Sequence, residues 1–155
     1  MISREHVLSN ARPRRMYTQH PFKEVIQNDC YETKQYRNLN VDTVFDVGGN
    51  VGMFSILASD LFPRAEIHAY EPVLPTFESL TYNLSKLCPN SVAHNVGVGE
   101  VTASLPVYYR REDFSGDYSV GKPSKDSKKL LQGASALLLS VEDFVSREEC
   151  QNAGR

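Results

Sequence analysis

The sequence predicts an α/β fold built on a doubly wound, mostly parallel sheet, and three observations carry that expectation. DTVFDV (42–47) is short, apolar and β-branched, the pattern of a strand buried on both faces. AEIHAYE (65–71) and SVAHNVGV (91–98) are two further strand-like runs. The segments between the three runs carry apolar residues at helical spacing. The order is therefore βαβαβ, which calls for parallel pairing, right-handed crossovers and helices on both faces of the sheet.

From the N-terminus, residues 1–21 are polar and end at Pro21. Arg4, Arg12, Arg14 and Arg15 make the opening basic, and it reads as a solvated terminus rather than an arm for an anionic partner. FKEVIQNDCYETKQYRNL (22–39) has weak helical spacing through Phe22, Val25 and Ile26, a short helix or irregular lead-in. After the first strand, Met53, Phe54, Ile56, Leu57 and Leu61 follow helical spacing until Pro63 stops them. Pro72 and Pro75 punctuate the exit from the second strand, and TFESLTYNLSKL (76–87) then sets Phe77, Leu80, Leu84 and Leu87 on one helix face. Beyond the third strand, ASLPVYYR (103–110) reads as a strand, residues 111–133 as a long polar loop, and ASALLLS (134–140) as another strand. Ser140 followed by Asp143 makes the N-cap and capping box of a last helix. The chain divides into an N-terminal arm with its lead-in helix (1–40) and a ligand-binding domain (41–150).

Composition excludes more than it selects. Apolar residues make up 41% and charged residues 23%, and the net charge is -2, so nothing favours nucleic acid or an acidic membrane surface as a partner. Cys30, Cys88 and Cys150 are odd in number and far apart, which argues against a disulfide framework or a zinc site and fits a reducing compartment. No run approaches the ~18–20 apolar residues of a membrane span, and the first residues lack the apolar centre of a secretory signal. The expectation is a cytoplasmic protein with no metal.

In a doubly wound sheet, ligands sit beyond the carboxyl ends of the strands. Three features of the sequence converge there. Asp46-x-Gly48-Gly49-Asn50-x-Gly52 follows the first strand, Glu71 ends the second, and Asn95-Val96-Gly97 ends the third. Glycines admit a ligand close to the backbone, an acid at the second strand end can hold both ribose hydroxyls, and the third strand end can border a base. The dinucleotide fingerprint G-x-G-x-x-G is not met by GGNVG, and a P-loop would need Gly-Lys-Ser/Thr where this chain has Gly52-Met53-Phe54. Asp46 beside the loop would repel a pyrophosphate and suits a ligand bearing an ammonium group. S-adenosylmethionine, an adenosine joined to an amino acid, meets that requirement.

DVGGNVGMFSI, AYEP with the helix TFESLTYNL after it, and HNVGVGE together resemble the first half of FkbM-type S-adenosylmethionine-dependent methyltransferases. The family's corresponding stretches run roughly D-x-G-A-N-x-G, A-x-E-P and N-x-A-x-G, and the match covers residues 42–146. Gly49 stands where the family commonly has Ala. The resemblance implies the Rossmann-like fold of class I methyltransferases, S-adenosylmethionine as cofactor, and Asp46, Gly48, Gly49, Asn50, Gly52, Glu71, Asn95 and Gly97 as the residues that hold it. It also implies methylation of a hydroxyl on a sugar or other small-molecule acceptor. A lysine-aspartate-glutamate-glycine strand and three more strands should follow SVEDFV, whereas the sequence ends at Arg155. The chain therefore reads as a fragment, truncated before the fourth core strand. In the sheet order 3-2-1-4-5-7-6 the first strand is left with a free apolar edge, a surface for self-association or a protein partner.

The remaining ionisable and aromatic residues point to packing rather than chemistry. His68 inside the second strand reads as a satisfied core histidine, and Asn83 as an ordinary helix residue. Tyr108, Tyr109 and Tyr118 read as packing beside the polar loop, whose lysines are solvated. His20 and His94 could lie near a substrate, yet nothing in the sequence orients either as a base, so no catalytic residue is named. The competing reading is a non-catalytic nucleoside-binding or interaction protein derived from a methyltransferase.

Overall fold

A computed structural model of the chain describes residues 3–12, 20–110, 118–123 and 129–153. Its elements are α1 (Arg4–Asn10), a π-helical turn (Phe22–Gln27), a 3-10 turn (Thr33–Tyr36), β1 (Thr43–Val47), α2 (Met53–Leu61), β2 (Glu66–Tyr70), α3 (Leu74–Leu87), β3 (Ser91–His94), β4 (Gly97–Gly99), β5 (Ala103–Tyr109), β6 (Tyr118–Val120), β7 (Lys129–Ser140) and α4 (Val141–Ala153). Two sheets result. One is parallel, in the order β1-β2-β3, and the other is mixed, in the order β4-β7-β5-β6. The α/β class is as expected, and the parallel sheet is consistent with a Rossmann-like fold.

In the parallel sheet β2 is central. Asp46 lies opposite Ala69 and Val47 opposite Tyr70, while Tyr70 lies opposite His94. Strand alternation then puts Val44, Asp46, Ile67, Ala69 and Ala93 on one face and Phe45, Val47, His68, Tyr70 and His94 on the other. Ala69 and Ala93 join Met53 and Ile56 of α2 and Leu80, Leu84 and Leu87 of α3 in the main core. The second face receives Phe144 of α4, whose ring meets Phe45 and Tyr70 edge-on. Both faces thus carry helices. Among the described residues β1 pairs with β2 alone, so its other edge is free, as the sheet order implied.

Four sequence expectations change. The run 91–98 is not one strand: it breaks at Asn95-Val96, and Gly97 opens β4 in the second sheet, parallel to β7. The break is stapled by Asn95, whose Nδ2 donates to Glu71 O at 2.9 Å. A glycine is required where β4 begins, because a Cβ at Gly97 would stand 2.6 Å from Leu138 Cδ2 and 3.0 Å from Pro72 Cγ. The polar loop 111–133 contains β6, and β7 starts at Lys129 rather than at residue 134. These segments pair because β5 is antiparallel to both, with a register shift between Pro106 and Tyr108 where proline offers no N–H. The lead-in 22–39, expected as a short helix or irregular segment, holds a π turn and a 3-10 turn.

The fourth change concerns the N-terminus. Residues 4–10 are helical, Val7 and Ala11 are fully buried, and both belong to the main core. Arg12 lies over the Tyr82 ring at 4.0 Å. The expected solvated arm is therefore a packed helix over its first turns, while Arg14 and Arg15 lie outside the described residues, as do Lys125 and Lys128 of the loop. Among the described residues no helix is long and apolar enough to cross a membrane.

Candidate functional site at the ends of β1 and β2

The glycine loop turns the chain from β1 into α2 by left-handed backbone. Gly48, Asn50 and Gly52 have φ of +82°, +50° and +87°. Two of these are glycine because a side chain there is strained, and Asn is among the few others that tolerate it. Gly52 faces packing as well, since a Cβ would come within 3.0 Å of Leu80 Cδ1. Gly49 has neither constraint: a Cβ there would lie 3.4 Å from Ala69 Cβ and Asp46 Oδ2, within the range of ordinary contacts.

The loop's amides are used within the protein. Gly48 N and Gly49 N both donate to Tyr70 O at 2.9 Å, Asn50 N donates to Glu71 Oε2 at 3.1 Å, and Gly52 N donates to Gly49 O at 2.7 Å. A phosphate cradle needs such donors free, and these four amides are not. The glycines serve the turn geometry, and what the loop leaves unpaired is a side chain, Asn50.

Three side chains are presented. Asp46, buried at the end of β1, accepts from Ser55 Oγ at 2.5 Å. Burial pushes its carboxyl above the usual range, against the pull of the Ser55 hydrogen bonds. Glu71, 7% exposed at the end of β2, accepts from Val73 N at 2.9 Å through Oε1 and from Asn50 N through Oε2. It too is raised, first by burial and least by the charge of Asp46, while the two backbone bonds hold it down. Each carboxylate oxygen keeps acceptor capacity for a ligand hydroxyl. Asn50 Oδ1 is buried with no hydrogen-bond partner. Buried acceptors are ordinarily paired, so this one is short of a donor.

A cavity of about 940 Å³ opens at the loop. Asp46, Gly48, Gly49 and Asn50 line it, and it continues along the free edge of β1 past Phe45 to Val41 and Phe62. Its outer wall is the lead-in segment, with His20, Glu24, Tyr31 and Tyr36. Of the eight residues expected from the sequence, these four share the cavity. Glu71 is joined to it through Asn50 N, and Asn95 through Glu71 O. Gly52 is turned to the α3 leucines and Gly97 to Leu138 and Pro72, so packing accounts for both.

Comparison with known proteins adds chemistry to this geometry. Methyltransferase 1 of Beauveria bassiana (strain ARSEF 2860) is 31% identical over 88 residues, 56% of this chain and 34% of that protein. The 31-O-demethyl-FK506 methyltransferase FkbM of Streptomyces tacrolimicus is 35% identical over 98 residues, 62% of this chain and 35% of its own length. This chain is a relative of the FkbM-type methyltransferases. Methyltransferase sdnD of Sordaria araneosa agrees, at 29% identity over 91 residues, 57% of this chain and 34% of that protein. The chain spans about a third of the length of these curated relatives. No protein-family model matches it, and no solved structure does.

Several residues that shape the site in this FkbM-type relative escaped the sequence reading. Ser55 is a polar residue on the buried side of α2, a position where an apolar residue is the rule, and that anomaly was its only signal. Asn83 is fully buried: its Oδ1 accepts from Arg12 N at 2.5 Å, and its Nδ2 donates to Arg12 O at 2.6 Å and Val51 O at 2.7 Å. It fastens α1 and the glycine loop to α3. Tyr70 OH donates to Glu148 Oε1 at 2.6 Å and ties α4 to the sheet. His68 is the satisfied core histidine expected, 3.2 Å from His94 Nε2 and 3.5 Å from Glu66 Oε1. Ser140 caps α4 by accepting from Asp143 N at 3.1 Å, and Thr102 closes the capping box by bonding Asp143 and Ser140 N.

Proposed function

We propose that this chain is the cofactor-holding part of an S-adenosylmethionine-dependent methyltransferase of class I fold, acting on a hydroxyl of a small molecule or sugar. The observation that carries the reading is the acceptor set gathered at the ends of β1 and β2: two buried carboxylates and an unpartnered amide oxygen, with the amides of Gly48, Gly49, Asn50 and Gly52 already bonded within the protein. That set fits a ligand with hydroxyl and ammonium donors and no phosphate. Glu71 would hold the ribose hydroxyls, and Asp46 and Asn50 the amino-acid end. The cavity, near the top of the ~300–1,000 Å³ usual for small-molecule sites, has room for such a ligand.

When bound, S-adenosylmethionine supplies a methyl group on a sulfonium, already activated for displacement. The protein's share is then position and water exclusion. Glu71 and Asp46 are fixed by hydrogen bonds from Asn50, Val73 and Ser55, so neither carboxylate must reorganise to receive the ligand. The free edge of β1 is where a further strand or a partner would complete the domain.

Isothermal titration calorimetry with S-adenosylhomocysteine tests the reading. Micromolar binding is expected, weakened about tenfold or more in Glu71→Gln, which keeps the shape and loses the charge-assisted bonds. Asn50→Ala should weaken it as well. A chain that is folded by circular dichroism and binds neither S-adenosylhomocysteine nor S-adenosylmethionine would refute the assignment.

A further inference from the structure

Resting on that reading, we propose that His20, oriented by Glu24, is the base that takes the proton from the acceptor hydroxyl. Its Nδ1 lies 3.3 Å from Glu24 Oε2, and both residues line the cavity that Asp46, Gly48, Gly49 and Asn50 line. The two make an i,i+4 contact with side chains 68% and 56% exposed, and because a carboxylate only accepts, Glu24 in that place favours the Nδ1–H tautomer of the neutral imidazole and leaves the lone pair on Nε2. His20 is the only imidazole among the residues lining the cavity. His68 and His94 are engaged with one another and line no part of it. Asp46 is tied to Ser55.

The wall that carries the pair is built, not incidental. A π-helical turn begins two residues after His20, a geometry found often at functional sites, and Phe22 anchors it in the main core. Asp29 and Glu32 hold left-handed backbone on either side of Tyr31, with φ of 49° and 53°. Asp29 secures that turn by accepting from Thr33 N at 2.8 Å and Lys34 N at 3.1 Å. The Tyr31 ring then meets Phe54 edge-on at 5.3 Å. Burial pushes the Tyr31 hydroxyl above its ordinary value. Strained backbone of this kind persists where the surroundings over-determine it, and here it brackets the cavity wall.

In the step, the acceptor O–H bond breaks and its proton passes to His20 Nε2. The oxygen keeps the electron pair and forms the bond to the methyl carbon of S-adenosylmethionine as the carbon–sulfur bond breaks. Sulfur leaves as a neutral thioether and Glu24 offsets the imidazolium charge. No other reactant is needed.

Two measurements test the assignment. Long-range ¹H–¹⁵N NMR of the labelled chain, without ligand, should show His20 as the Nδ1–H tautomer, reverting to Nε2–H in Glu24→Ala. An Nε2–H ring in the parent chain overturns the proposal. The second uses 4-nitrophenol as the hydroxyl probe, with S-adenosylhomocysteine present and the yellow anion read by absorbance. The bound probe should ionise about fivefold more than in buffer on the acid side of its midpoint, and His20→Ala should abolish the gain. Ionisation unchanged by His20→Ala, or no bound probe, overturns it. Absence of S-adenosylhomocysteine binding by calorimetry sinks the cofactor reading instead, and the ligand-free tautomer measurement judges His20 separately.

Discussion

At the scale of single residues, the site is a pair of carboxylates kept where water is scarce. Asp46 and Glu71 are both raised above their ordinary values of 3.8 and 4.5, chiefly by burial. A carboxyl raised on folding binds its proton more readily in the folded state. Its contribution is fully present below the unfolded value and is lost as pH rises through the folded one. His94, lowered by burial and by His68, acts in the opposite sense as pH falls below 6.5, and Asp29, lowered by its Thr33 hydrogen bonds, does so as pH falls through its own folded value. A difference measurement removes these other groups. Relative to the parent, Asp46→Asn should gain stability at about pH 8, and the gain should vanish by about pH 4. Urea denaturation across that range is the check, and a pH-independent difference would mean that Asp46 carries no burial penalty. The loop was legible because glycines with a following helix are a local signal, and Glu71 because it ends a strand. Ser55, which holds Asp46 in place, was hidden because its bond to a carboxylate nine residues earlier leaves no periodic trace.

At the scale of elements, the helices and strands of the βαβαβ unit were readable from spacing, since alternation and helical period are set within a few residues. What failed was decided by partners distant in sequence. Residues 91–98 keep a strand-like pattern throughout, and only the Asn95 bond to Glu71 O and the contact of Gly97 with Leu138 divide them between two sheets. Likewise α1 looks like a polar tail until Val7 and Ala11 meet α3 and Asn83 takes both backbone groups of Arg12. Asn83→Ala would leave the amide and carbonyl of Arg12 and the carbonyl of Val51 without that partner. A buried polar group left unpaired costs about 1–3 kcal/mol, and a loss in this range is expected by chemical denaturation. Amide hydrogen exchange should speed up in residues 4–11 and in the glycine loop together. Faster exchange in one without the other would show that Asn83 does not couple them.

At the scale of the whole molecule, the two sheets differ in how completely they are covered. The mixed sheet has β7 and β5 as its inner strands and buries a small core of Val73, Val107 and Ala136. The parallel sheet is sealed on the α2–α3 face, but on the other α4 reaches Phe45 and Tyr70 through the Phe144 ring and the Glu148 bond to Tyr70. Phe45 and Val47 remain 40% and 51% exposed there, on the strand with the free edge, and Val92 of β3 is 41% exposed on the same face. An apolar strand with an unpaired row of N–H and C=O groups is a template for pairing, and nothing charged on β1 faces outward to discourage it. The fold class was readable from sequence, whereas this exposure depends on which neighbour a strand has. The chain as given should therefore self-associate through β1. Sedimentation velocity is expected to show mass rising with concentration, and Val47→Lys, a charge on the exposed face of that strand, should return the population toward monomer. A parent chain that stays monomeric at every concentration would mean the β1 edge is protected in solution, and the apolar face beside it would need another explanation.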